Sequence, residues 1–159
     1  MKINEDDGKV AENFQRVGAK SNAQVGREFE NSVNKILAKQ GFSLSKNYKI
    51  AIGVDKIKKL HAFDLGSSNP RIIVECKSHK WTAGNNTPSA KMTVWNEAMY
   101  YFAIAPADYQ KLFFVLRDYS ESRKVTLAEY YIRTYEHLIP ADVEIWEYDP
   151  HTENTTKLK

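Results

Sequence analysis

The residues best placed to do chemistry lie between Leu60 and Trp81, in LHAFDLGSSNPRIIVECKSHKW: Asp64, Glu75 and Lys77. Ile72, Ile73 and Val74 form an apolar run of the kind a sheet buries, and Glu75 and Lys77 stand at its end. Side chains alternate along a strand at about 3.3 Å per residue, so Glu75 and Lys77 share a face, roughly 6–7 Å apart. On a preceding strand, Ala62 and Asp64 are expected on one face and His61, Phe63 and Leu65 on the other. A short turn over Gly-Ser-Ser-Asn-Pro, residues 66–70, pairs the two strands and brings Asp64 beside Glu75. Charges at the end of a hydrophobic sheet are costly unless paired or bound to a metal. Two carboxylates in one spot repel, which makes a divalent cation their natural partner, and oxygen ligands with open positions suit Mg²⁺. Lys77 is then a third charge aimed at whatever the metal holds. A cation beside a lysine fits an anionic substrate, with a phosphodiester the obvious candidate.

Composition narrows the setting. A chain of 159 residues with 42% hydrophobic and 27% charged residues has the balance of a water-soluble domain with its own core. The net charge of +3 is compatible with nucleic acid without requiring it. A single cysteine, Cys76, excludes an internal disulfide, and there is no Cys/His spacing for zinc. No apolar run reaches the length of a membrane span and the start carries no signal-peptide core, so a cytoplasmic location without a membrane partner is expected.

The elements that must position Asp64, Glu75 and Lys77 follow from periodicity. Residues 1–20 read as an arm or short leading helix, with Val10, Phe14 and Val17 at helical spacing. A helix over residues 21–41 opens on a capping-box pattern, carries the stripe Val25, Phe29, Val33, Ile36, Leu37, and stops at Gly41-Phe42. Glu30 lies beside that stripe. Residues 43–54 alternate as a strand and lead into the hairpin; Lys46, Lys49, Lys56, Lys58 and Lys59 crowd this region as a solvated turn or a phosphate-facing patch. The loop 78–90 leaves the candidate site directly, and its His79, Lys80 and Trp81 suit nucleic acid, although Trp81 equally suits a core edge. Thr87-Pro88 opens a helix to about Ala105, striped by Met92, Trp95, Met99 and Phe102, with Lys91 in its first turn. Leu112–Leu116 reads as a buried strand parallel to the Glu75 strand. A capping box at 126–129 opens a Tyr-rich helix, a last strand follows over 143–148, and residues 151–159 read as a frayed tail. The acids Asp142, Glu144, Glu147 and Asp149 place that end away from DNA.

Asp64, followed after ten intervening residues by Glu75-Cys76-Lys77, resembles the PD-(D/E)XK motif of restriction-endonuclease-like nucleases. The order helix, three strands, helix, strand over residues 21–117 resembles the αβββαβ core of that family, with the motif on the second and third strands. Phe63 stands where the family name has proline. The resemblance implies an α/β (α+β) fold with a mixed sheet flanked by helices, forming one nuclease domain over residues 21–150. It implies a Mg²⁺-dependent deoxyribonuclease, with Mn²⁺ able to substitute. Asp64, Glu75 and the Cys76 backbone carbonyl would hold the metal, joined by Glu30 if that residue is not simply a solvated helix glutamate. Lys77 would orient or activate the attacking water, and His79, Lys80, Trp81 and Lys91 would face the nucleic acid. A restriction-type DNA endonuclease acting as a homodimer comes first. A junction-resolving (Holliday-junction-resolvase-like) or repair nuclease, and a non-catalytic nucleic-acid-binding module of the same fold, are the alternatives.

Overall fold

A computed structural model describes residues 20–159, so the arm or helix read over residues 1–20 falls, Lys20 apart, outside the described residues. The elements run α1 (Asn22–Lys39), β1 (Ser45–Ile52), β2 (Lys59–Ser68), β3 (Arg71–Lys77), α2 (Ser89–Ala103) and β4 (Gln110–Leu116). A small ribbon of β5 (Tyr119–Ser120) and β6 (Val125–Thr126) follows, then α3 (Leu127–Tyr135), β7 (Val143–Asp149) and β8 (Asn154–Lys157). The six long strands form one mixed sheet in the order β1-β2-β3-β4-β7-β8. β1, β2 and β3 are an antiparallel meander, β3, β4 and β7 run parallel, and β8 returns antiparallel on β7. This is an α+β architecture with the expected order of elements.

Local chemistry explains most of it. Ser21 Oγ accepts from the Gln24 N–H at the start of α1, and Gly41, at φ +93°, lets the chain turn out while the Phe42 N–H closes on the Leu37 carbonyl. Phe29, Val33 and Leu37 bury the α1 stripe against Leu65, Ile72, Val74, Leu112 and Phe114. The other sheet face carries Phe63, Ile73, Phe113, Val115 and Ile145 beneath Met92, Trp95, Met99 and Phe102 of α2 and Leu127 and Tyr131 of α3. Each such side chain, fully buried, contributes about 1.5–3 kcal/mol. β3 is covered on both faces, which is why its sequence reads as a continuous apolar run rather than an alternation. α3 opens on a complete capping box between Thr126 and Glu129.

Four local expectations are corrected. The β2–β3 turn is only Asn69-Pro70: Ser68 pairs with Arg71, and residues 66–68 belong to the strand. Gly66 reads as a turn residue, yet it is a close-approach residue, since a Cβ there would stand 2.8 Å from Tyr48 Cβ and closer still to its ring. α2 begins at Ser89 and ends at Ala103, with Pro88 as a cap lacking a side-chain hydrogen bond. The tail is not frayed, because Asn154–Lys157 pairs with Trp146–Asp149 and the Leu158 N–H donates to the Ile145 carbonyl. A polar edge strand covers little core, so it leaves no hydrophobic pattern to read.

Gly66→Ala drives Tyr48 outward and separates its hydroxyl from that of Tyr109, 3.1 Å away in the native packing. Equilibrium urea unfolding of this variant is expected to show a loss of about 1–3 kcal/mol with an unchanged m value.

Candidate active site at a strand fork

The β2–β3 ladder runs from Ser68↔Arg71 to Leu65↔Val74 and stops. Beyond it β2 continues on β1 alone, while β3 continues on β4 through Glu75↔Phe113, Cys76↔Phe114 and Lys77↔Val115. The strands therefore part at Asp64 and Glu75, at the carboxyl end of β3. The cause lies in β2, where Leu65 packs on the α1 side of the sheet and Phe63 on the α2 side. Regular alternation would put both on one face, so the expected grouping of His61, Phe63 and Leu65 is corrected. The β1 register is the same on either side, Lys46↔Leu65 and Tyr48↔Phe63, so no residue is inserted. The break in alternation is absorbed by Asn47, at φ 50° in the left-handed region that asparagine tolerates, facing Asp64.

At the fork the Cys76 N–H donates to Asp64 Oδ2 at 2.7 Å. A residue's N–H and C=O point to the same edge of a strand, so the Cys76 carbonyl faces the fork too. Its thiol points the other way, into the α1 core, where burial above all pushes its pKa well up. Glu75 is 5% exposed, and Lys77 Nζ donates to its Oε2 at 2.8 Å. The shared face expected of Glu75 and Lys77 is thus observed.

Electrostatics at the fork are short of positive charge. Burial first, and then the Glu75 charge, push the Asp64 carboxyl up to about 7, against the pull of the Cys76 N–H and Lys77. Burial draws the Lys77 ammonium down, but the charge and hydrogen bond of Glu75, with Asp64 behind them, outweigh it, and its pKa is raised. Glu30 on α1 lies within electrostatic reach of the fork: burial raises its pKa, Lys46 and Lys77 oppose that, and Glu75 adds to it. Among the described residues no three His, Cys, Asp or Glu side chains already form a metal cage. Two carboxylates and a strand carbonyl still fit a hard divalent cation, which keeps several waters when bound this way, and the raised Asp64 marks where added positive charge is favoured.

The sequence-predicted flanking residues divide. Lys80 and Lys91 line a cleft of about 510 Å³ with Asn22, Val25, Ser78 and Pro88, just beyond Lys77, and neither has a carboxylate partner among the described residues. His79 lines it too, with Nδ1 accepting from Trp95 Nε1 at 2.8 Å. Burial, then Lys91 and Lys77, lower its pKa to about 4, so it is a neutral donor rather than a cation. Trp81 is the core edge, not an exposed stacking residue: it is 8% exposed, and its backbone and indole N–H groups both donate to Asp118. On the other flank Lys58 and Lys59 rim a cleft of about 340 Å³ that reaches the fork through His61 and Tyr101. The acids of β7 are not all remote. Glu147 is buried on Arg117 and lies level with Lys77 across β4, about 10 Å away by strand spacing. His61 escaped the sequence reading, since a lone histidine in a strand carries no signal once its face is misassigned. Its Nε2 lies 3.6 Å from Glu75 Oε1.

The folded state holds the Asp64 proton more tightly than an unfolded chain, whose value is 3.8. Its contribution favours folding below about 4 and is lost as pH rises through about 7. Asp64→Asn keeps an acceptor for Cys76 and removes the charge. Thermal unfolding without metal at pH 8 is expected to show the variant stabilised by on the order of 2 kcal/mol, roughly 4–8 °C, with the difference vanishing near pH 4. No protein-family model, no curated protein and no solved structure matches this chain.

Proposed function

We propose that this protein is a divalent-metal-dependent deoxyribonuclease that hydrolyses phosphodiester bonds, most closely of the restriction type. The observation that supports it is the fork itself. Asp64, Glu75 and the Cys76 carbonyl converge where β2 leaves β3, with the Lys77 ammonium on one carboxylate and, on both flanks, lysines that have no carboxylate partner among the described residues. Held by these three donors, a divalent cation supplies Lewis acidity at a phosphoryl oxygen and lowers the pKa of a bound water. Mg²⁺ suits the oxygen donors, and Mn²⁺ substitutes.

The side chains then have distinct tasks. Lys77, with its pKa raised, is protonated at neutral pH and is therefore a hydrogen-bond donor rather than a base. It orients the attacking water and meets the charge that builds on the phosphate. Lys80 and Lys91 hold the backbone beyond Lys77, with the neutral His79 as an uncharged donor, and Lys58 and Lys59 hold it on the His61 side. Glu30, within electrostatic reach of Glu75 and Lys77, would add a further acidic group near the fork. One fork cuts one strand, so double-strand cleavage requires two copies, and a homodimer belongs to this reading.

Supercoiled plasmid with Mg²⁺ or Mn²⁺ is expected to be nicked or linearised, and EDTA is expected to stop it. Glu75→Ala and Lys77→Ala are expected to lose at least about 100-fold in rate while keeping the native circular dichroism spectrum. Binding that ignores metal, with no cleavage of duplex, branched or single-stranded DNA, would instead identify a nucleic-acid-binding module.

A further inference from the structure

We propose that His61 is a metal ligand at the fork, and that it turns an oxygen-only site into a mixed nitrogen–oxygen site selective for first-row transition ions over Mg²⁺. The inference rests on the reading of the fork as a metal site and adds to it the identity of a ligand and of the preferred cation.

The imidazole is fixed on two sides. Its ring lies 4.0 Å from the Tyr101 ring centroid, and it meets the Phe63 ring edge-on at 4.7 Å. Packed this way its Nε2 is buried and, among the described residues, has no hydrogen-bond partner. Buried polar atoms are nearly always satisfied, and an orphan calls for a physical reason. The atom nearest in kind is Glu75 Oε1 at 3.6 Å, which is beyond a hydrogen bond. Lys77 occupies the other oxygen of the same carboxylate, so Oε1 is the oxygen left to face His61. Two donors each about 2.0–2.2 Å from one cation stand about 3.0–3.5 Å apart. A nitrogen lone pair and a carboxylate oxygen at 3.6 Å thus need to close by only a few tenths of an ångström to share a cation.

The donor type sets the preference. Mg²⁺ takes oxygen ligands and gives up water reluctantly. Imidazole favours transition ions, whose affinity for such sites rises from Mn²⁺ to Co²⁺ and beyond. His61 can bind through Nε2 only as the tautomer protonated at Nδ1. The site would then draw on two faces of the fork, Glu75 from β3 and His61 from the stretch of β2 that has already left it.

Titration calorimetry with Mn²⁺, Co²⁺ and, by competition, Mg²⁺ tests this in the wild type, His61→Ala and Glu75→Ala. Glu75→Ala is expected to weaken all three ions. His61→Ala is expected to weaken Mn²⁺ and Co²⁺ by roughly 10–100-fold and to leave Mg²⁺ within about 3-fold. Pulsed electron paramagnetic resonance on Mn²⁺-loaded wild type reads the same contact without any variant, and ¹⁴N coupling from imidazole is expected there. Absence of that coupling, or a His61→Ala variant that changes all three ions alike, would overturn the role of His61 while leaving the carboxylate site standing. Metal binding untouched by Glu75→Ala would remove the site and the ligand together.

Discussion

The repulsion between two carboxylates held out of water at one point of the sheet is the constraint on which the site depends. Asp64 and Glu75 are brought there by strand pairing whose last pair, Leu65 with Val74, is the neighbour of both. The Cys76 N–H and the Lys77 ammonium relieve part of the cost, yet Asp64 still holds its proton up to about pH 7. A folded protein keeps such a pair at a price in stability, and that price is intelligible if a cation removes it. The fork is therefore a place where a buried charged pair works against stability in the folded protein.

The rest of the fold makes the fork rigid. Ile72, Ile73 and Val74 are fully buried between the α1 layer and the α2–α3 layer, so β3 cannot shift its register without exposing one face or the other. The tight Asn69-Pro70 turn fixes β2 against β3, and β4 continues the support where β2 leaves. α1 carries Glu30 towards the fork, and α2 places Lys91 on one side and Tyr101 on the other. The site lies at the carboxyl ends of parallel strands, where open sheets leave a crevice.

Much of this was legible in the sequence, for reasons that can be named. The apolar run 72–74 ends abruptly in Glu-x-Lys, and period-two geometry puts those charges on one face whatever the tertiary context. The Thr126–Glu129 capping box, the helix stripes and the buried run 112–116 are local signals that packing had no reason to override, whereas at α1 only the Ser21 half of the expected box forms and the Gln24 side chain turns to Glu28. The break in alternation at Asp64 was not legible, because it depends on a left-handed Asn47 on the neighbouring strand. That break decides where His61 goes, and so His61 was missed with it. Trp81 beside lysine and histidine reads equally well as surface or core until Asp118, 37 residues later, is seen to take both of its N–H groups. β8 was hidden because an edge strand of Asn, Thr and Lys carries no hydrophobic period. Glu147 looked remote because only the register of β7 on β4 shows it level with Lys77.

The central claim is that the fork binds a divalent cation, and cation-directed scission of the chain tests it most directly. Fe²⁺ with ascorbate and peroxide generates hydroxyl radicals at the bound ion, and the cut sites are read by mass spectrometry. The account predicts cuts confined to the neighbourhood of Asp64 and of Glu75–Lys77, suppressed by excess Mn²⁺ and lost in Glu75→Ala. Cuts elsewhere, or the same pattern in that variant, would contradict it.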